Sequence, residues 1–151
     1  ILSGRKINNE IGKYVANNII KKMIQAGQVI KGANVAIFGI TFKENCGDVR
    51  NTRVIDVVRG LEEYGVNVFV HDPLADKSEV LEEYGIRLVE TKELKDLSCI
   101  VFAVAHNEFK NGYTFEFIDS LYGTEEKVVI DIKHMFSRRE CEGLGYRYWS
   151  L

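Results

Sequence analysis

The sequence predicts an α/β domain: a three-layer, doubly wound and mostly parallel sheet preceded by a long N-terminal helix. Three observations carry this. Short, continuously apolar runs such as 35–38 and 99–105 have the composition of strands covered on both faces. They alternate with amphipathic stretches of helical period. The stretch Glu62-Glu63-Tyr64-Gly65-Val66 recurs as Glu82-Glu83-Tyr84-Gly85-Ile86. Each copy reads as a helix end, a left-handed glycine stop and the start of an extended segment.

Composition bounds the function classes. The chain has 151 residues, enough for one domain with a sizeable core. With 20 basic and 22 acidic residues the net charge is −2, so no basic field marks a nucleic-acid or anionic-membrane binder. No apolar run of about 18 residues offers a membrane span. Cys46, Cys99 and Cys141 are an odd number without metal-ligand spacing, which reads as reduced thiols in a cytoplasmic protein. The chain opens on Ile1, not Met, and reads as helix at once, which suggests a fragment of a longer protein.

In order, residues 3 to about 27 form an amphipathic helix. Ile7, Ile11, Val15, Ile19 and Met23 recur every four residues, with Tyr14 and Ile24 beside them and Gly27 as the stop. This stripe covers the sheet, a neighbouring helix or a second copy of the chain. Strand one is expected at 35–40 and its helix at 52–64, capped by Asn51 or Thr52. A second strand ends at Pro73, a helix spans 76–84, and 86–90 reads as a third strand. A helical turn near 91–96 leads to a central strand at 99–106. A helix at 114–122, a strand at 127–134, a short helix near 137–142 and a last strand at 146–150 complete the chain. Tyr146, Tyr148 and Trp149 read as edge-strand packing.

In a parallel sheet all strand C-termini lie on one edge, where ligands bind. That edge collects Phe42, Lys43, Arg50 and Arg53 after strand one, Asp72 after strand two, His106 and Asn107 after the central strand, and Lys133 and His134 after strand five. Lysine gives a point charge and arginine a planar fork for phosphate oxygens, so a diphosphate suits this rim. The competing reading is a solvated rim paired with Glu44, Asp48 and Asp72. The turn Gly39-Ile40-Thr41-Phe42-Lys43 is not the G-x-G-x-x-G of a dinucleotide site, and no P-loop occurs. Phosphate must therefore be held by side chains. Cys46 lies near Lys43 and Arg50 but has no base nearby in sequence. His71, His106 and His134 read as hydrogen-bonding residues rather than metal ligands.

The stretch from Gly39 to Asn51, GITFKENCGDVRN, resembles the signature of the C-terminal domain of the UDP-glucose/GDP-mannose dehydrogenase family. Its core is F-K-x-x-x-x-D-x-R between a strand and a helix. Gly4-Arg5-Lys6-Ile7-Asn8, Asp72-Pro73, and Ala103-Val104-Ala105-His106 with Phe109 agree with it, so the likeness covers nearly the whole chain. The wording is similar to the branch acting on UDP-N-acetylhexosamines, including the Vi-polysaccharide type. Gly47 departs from it, standing where that branch has proline.

The resemblance implies a Rossmann-like C-terminal domain at 29–151 that binds a UDP-sugar, and a helix at 1–28 from a central dimerisation segment. It implies an NAD-dependent oxidation of a sugar C6 alcohol to a uronate for surface polysaccharide. Phe42, Lys43 and Lys133 would contact the substrate, and Arg50 would reach the NAD side of the cleft. The glycine-rich NAD turn and the Gly-Gly-x-Cys-Phe nucleophile are absent from this sequence. The catalytic residues, most of the NAD site and the remaining wall would then belong to missing N-terminal and central domains of a homo-oligomer. This fragment alone would be inactive. The alternative is a non-catalytic doubly wound module for oligomerisation or regulation.

Overall fold

The computed structural model describes residues 2–151, with side chains described from residue 10 onward. Helix α1 (Leu2–Gln25) leads into β1 (Asn34–Phe38), α2 (Val54–Glu62), β2 (Asn67–His71) and α3 (Lys77–Tyr84). Then follow β3 (Cys99–Phe102), α4 (Asn107–Gly112), α5 (Phe115–Ser120), β4 (Lys127–Asp131), α6 (Arg138–Gly143) and β5 (Tyr146–Trp149). Among the described residues the strands form one sheet in the order β2-β1-β3-β4-β5. Every neighbouring pair is parallel.

Strand residues alternate between two cores, as the two-residue period requires. Val35, Ile37, Cys99, Val101, Val128 and Ile130 face a core closed by α1, α2 and α3. Ala36, Phe38, Ile100, Phe102, Val129, Tyr146 and Tyr148 face the other, closed by Phe109 of α4, Ile118 of α5 and Cys141 of α6. This is the expected three-layer arrangement, with β3 buried at its centre.

The stripe on α1 covers the sheet and α2. Val15, Ile19 and Met23 are buried, whereas Ile11, Tyr14 and Ile24 are exposed. Ile7 and the stretch Gly4–Asn8 lie outside the described side chains. The helices α1 and α2 touch through small residues: a Cβ on Gly12 would fall 2.4 Å from Cβ of Asp56, and one on Gly60 2.8 Å from Cβ of Ala16. Gly27 stops α1 with φ +79, its N–H donating to Ile24 and that of Gln28 to Met23, a Schellman closure. Tyr64 and Tyr84, the echoed tyrosines, both act as ties. The Tyr64 hydroxyl donates to Asn17 on α1, and the Tyr84 hydroxyl to the Val49 carbonyl in the loop after β1.

Three expectations are corrected. Residues 86–90 are not a strand. Ile86, Leu88 and Val89 are buried, but toward β2 the segment offers only Val89, whose N–H donates to Val70 (2.9 Å) and whose carbonyl meets His71 Nδ1 (2.8 Å). It shields the outer edge of β2 without extending the ladder. Second, α4 at Asn107–Gly112 stands where the sequence predicts no element, because NEFKNG contains one apolar side chain and shows no period. Third, neither Asn51 nor Thr52 is the N-cap of α2. That position is Arg53, with no side-chain bond to the helix, while Thr52 Oγ1 accepts from Val54 N–H at 3.3 Å.

Candidate functional site

The order 2-1-3-4-5 reverses direction between β1 and β3, so the chains leaving these strands diverge to opposite faces and open a crevice. A cleft of about 380 Å³ lies there. Thr41, Phe42 and Lys43 form one wall after β1, Ala103 and Val104 the floor after β3, and Ile132 and Lys133 the far wall after β4. Ile11 and Val15 of α1 and Thr52, Arg53 and Val54 at the start of α2 close the remaining side.

The floor depends on Gly39. Its φ is +103, and a Cβ there would fall 2.6 Å from Cβ and 2.9 Å from N of Val104. The ends of β1 and β3 can meet this closely only because the side chain is missing.

Three of the four residues expected in the site share the cleft: Phe42, Lys43 and Lys133. Phe42 is 55% exposed, which leaves its flat face available to a ligand. Neither lysine has an acidic partner within ion-pair distance among the described residues. Arg53, which belongs to the expected cationic rim, also lines the cleft. Arg50 does not. Its side chain is 74% exposed, and its guanidinium donates through Nε (3.0 Å) and Nη2 (3.1 Å) to the two oxygens of Asp48. The Arg50 side-chain hydrogen bond holds Asp48 below the usual carboxylate range. The rim is thus divided: Lys43 and Lys133 face the cleft, and Arg50 is tied to its own acidic neighbour.

The start of α2 adds a second source of positive potential. The Arg53 side chain makes no bond to the helix it begins, and Thr52, Arg53 and Val54 border the cleft. Two first-turn N–H groups are taken, Val54 by Thr52 Oγ1 and Asp56 by the Arg53 carbonyl, so it is the helix dipole that favours an anion at this end.

The loop carrying Phe42 and Lys43 is braced from behind by residues far away in sequence. Asp72, buried after β2, accepts from Ile40 N–H (2.7 Å) and Thr41 N–H (3.3 Å) through Oδ2, and from Leu74 (2.8 Å) and Ala75 (3.2 Å) through Oδ1. His106 Nε2 lies 3.0 Å from Asp72 Oδ2 and 3.2 Å from Thr41 Oγ1, and its Nδ1 accepts from Asn45 N–H at 3.0 Å. Asn45, in the left-handed region with φ +57, accepts from Asn107 N–H through its side chain. Lys133 is positioned in the same way: Asp131 accepts from Met135 N–H (2.8 Å), Phe136 N–H (2.9 Å) and the Tyr148 hydroxyl (2.6 Å), which folds the turn after β4.

The histidines are engaged in hydrogen bonds as expected. His71 is buried between the Val89 carbonyl and the Tyr113 hydroxyl, and His134 Nε2 meets the Leu151 carbonyl. Burial pushes the Cys99 thiol up, and the Cys141 thiol up to about 11. Cys46 is half-buried in the loop.

Asp72 predicts a pH effect. Burial opposes its charge, but hydrogen bonds from His106, Ile40 and Leu74 outweigh this and hold its pKa below the ordinary value. A lowered folded-state pKa means the contribution to stability is complete above the unfolded value of about 3.9 and is lost as pH falls through the folded one. Denaturant melts of the native chain and Asp72→Asn between about pH 7 and pH 3 should show a stability gap that closes toward acid.

The turn after β1 does not fit a dinucleotide. In such sites the first N–H groups of the turn face the pyrophosphate. Here the Ile40 and Thr41 N–H groups are already taken by the negative carboxylate of Asp72. An anion in this cleft must be met by Lys43, Lys133, Arg53 and the start of α2.

Residues 36–138 match the model of the UDP-glucose/GDP-mannose dehydrogenase family, UDP binding domain. Protein CapL of Staphylococcus aureus is 40% identical over 151 residues, covering 100% of this chain and 35% of that protein. The UDP-N-acetyl-D-glucosamine 6-dehydrogenase of Pseudomonas aeruginosa is 43% identical over 142 residues, covering 94% of this chain and 33% of that protein. The chain therefore spans about a third of the length of these curated relatives. The crystal structure of NDP-N-acetyl-D-galactosaminuronic acid dehydrogenase from Methanosarcina mazei Go1 superposes with a TM-score of 0.85 at 20% identity, over 99% of this chain and 30% of that one. That likeness carries the fold. Taken with the family match over most of its length, it follows that the chain belongs to the UDP-glucose/GDP-mannose dehydrogenase family, as its C-terminal, UDP-binding domain.

Proposed function

We propose that this domain holds the nucleotide diphosphate of a UDP-sugar in the cleft at the ends of β1, β3 and β4, as one wall of an NAD-dependent UDP-sugar 6-dehydrogenase. The observation that carries it is the convergence of Lys43 and Lys133, without acidic partners among the described residues, on a cleft bordered by the start of α2. In this reading the two ammonium groups and Arg53 take the diphosphate oxygens. Phe42 offers its exposed ring to the sugar nucleotide. The substrate class is a UDP-N-acetylhexosamine, by analogy with the names of the relatives above.

The reaction requires parts this chain does not contain. We assign NAD and the reacting groups to the other domains of the full-length enzyme, because the β1 turn offers no free N–H pair to a pyrophosphate. Arg50, outside the cleft and oriented by Asp48, is assigned to the cofactor side of the assembled enzyme. The helix α1 is assigned to the segment that joins subunits of a homo-oligomer, and the enzyme to the cytoplasm.

Calorimetry with UDP, UMP and uridine tests this on the 151-residue chain. Affinity should fall in that order, and the UDP complex should weaken as salt rises, as expected for exposed charges. Equal affinities for UDP and uridine would remove the diphosphate from the cleft.

A further inference from the structure

We propose that His106 is a positioning residue for nucleotide binding: as the neutral Nε2–H tautomer, it latches the loop that presents Phe42 and Lys43, and its protonation releases that loop. This rests on the nucleotide reading of the cleft.

The tautomer follows from the donors around the ring. His106 is completely buried. Its Nδ1 receives the Asn45 backbone N–H at 3.0 Å, which has no other polarity to offer, so Nδ1 must carry a lone pair. The ring proton then sits on Nε2. There it faces Asp72 Oδ2 at 3.0 Å and Thr41 Oγ1 at 3.2 Å, whose own proton goes to the Lys43 carbonyl at 2.9 Å. One imidazole thus joins the end of β2 to both sides of Lys43. On the sequence side it holds Thr41, and on the other Asn45.

A second proton on the ring would set N–H against N–H at Asn45 and break that bond. The surroundings of the ring are known from each side. Asp72 is the ionised group in contact with it. The loop contributes the uncharged Thr41 and Asn45, and α4 the Phe109 ring at 5.3 Å between centroids. The charged residues of α4, Glu108 and Lys110, are exposed. Asp72 keeps four backbone donors whatever the state of His106, so its end of the network is not the part that fails. The loop end is.

The latch gives the loop two states, bound to His106 or free. If about a tenth of molecules stay latched when the ring is protonated, apparent affinity falls about tenfold. The effect has a direction: binding is full when the imidazole is neutral and weakens as pH is lowered.

The test combines NMR of the native chain with binding of UDP-N-acetylglucosamine from about pH 8 to about pH 5. Its diphosphate is esterified at both ends and keeps a constant charge over this range. At the upper end the imidazole nitrogens should report protonated Nε2 and bare Nδ1. As the second proton enters, the Asn45 amide should lose exchange protection and affinity should drop about tenfold in step. His106→Asn, whose side-chain oxygen lies near the position of Nδ1, should retain most of the affinity and lose its pH dependence. His106→Ala should lose affinity at every pH. An Nδ1–H tautomer, or Asn45 protection and affinity that ignore ring protonation, would overturn the latch. So would a His106→Asn titration matching the native one. If the native chain binds no sugar nucleotide at any pH, the nucleotide reading fails separately, and ring tautomer with Asn45 protection still decides the latch.

Discussion

Replacing Lys43 with alanine should lower the affinity for UDP by about 10- to 150-fold, the equivalent of one charge-assisted hydrogen bond of about 1.5–3 kcal/mol. The physical basis is specific to this lysine. It projects into the cleft with no carboxylate partner among the described residues, so its charge is not already satisfied. Its backbone is held by the Thr41 hydroxyl, which donates to its carbonyl at 2.9 Å, and its side chain lines the same cleft as Lys133. Because the side chain is exposed, stability should stay within about 0.5 kcal/mol of the native value. Calorimetry paired with denaturant melts separates the two quantities. Arg50→Ala gives the contrast. Its guanidinium is occupied by Asp48 and lies outside the cleft, so UDP binding to this chain should hardly change. Equal losses from both substitutions would mean that general positive charge, not the cleft, attracts the nucleotide.

Gly39→Ala should cost about 2–4 kcal/mol of folding stability. Two penalties coincide there. The backbone has φ +103, a region that side chains rarely enter, and the new Cβ would meet Val104 at 2.6 Å from Cβ and 2.9 Å from N. Val104 N is backbone between β3 and α4, so relief requires β1 and β3 to part at their C-terminal ends. That movement is confined to the floor of the cleft, so UDP affinity should fall along with the denaturation midpoint. Alanine at Gly85, also with positive φ but with nothing within 4 Å of the added carbon, should cost less. A loss at Gly39 below about 1 kcal/mol would contradict the close approach described here.

Much of this architecture was legible in the sequence because its strands are buried on both faces. Ile100, Val101 and Phe102 form a run that only a central parallel strand explains, and each is fully buried. The glycine stops after α1, α2 and α3 were legible for the same local reason: Gly27, Gly65 and Gly85 all have positive φ. The segment 86–90 was misread because its alternation is real. Ile86 and Leu88 are buried under the sheet edge, but alternation reports burial and not pairing. The helix α4 carries only Phe109 inward, too little for a period to show.

The site divided along a similar line. Phe42, Lys43 and Lys133 could be placed at strand ends by topology alone, and they do share the cleft. Spacing alone does not separate Lys43 from Arg50, since both sit in the same charged loop; only the resemblance gives them different roles. The structural distinction depends on Asp48 lying two residues before Arg50 in a turn that closes both guanidinium bonds. The bracing of the loop was also hidden. Asp72 and His106 are 31 and 65 residues from Thr41, and their bonds to it exist only once β2 and β3 flank β1. Asp72-Pro73 and His106 belong to the motif pieces that resemble the family, and the structure supplies a reason for their presence: they hold the loop that carries Phe42 and Lys43.

The most direct measurement is a structure of this chain with UDP bound. The diphosphate should lie between the Lys43 and Lys133 ammonium groups, beside Arg53 and the first turn of α2, with the Asp72 carboxylate still on the Ile40 and Thr41 amides. A nucleotide whose phosphates displace Asp72 from those amides, or project into solvent while both lysines point away, would contradict the account.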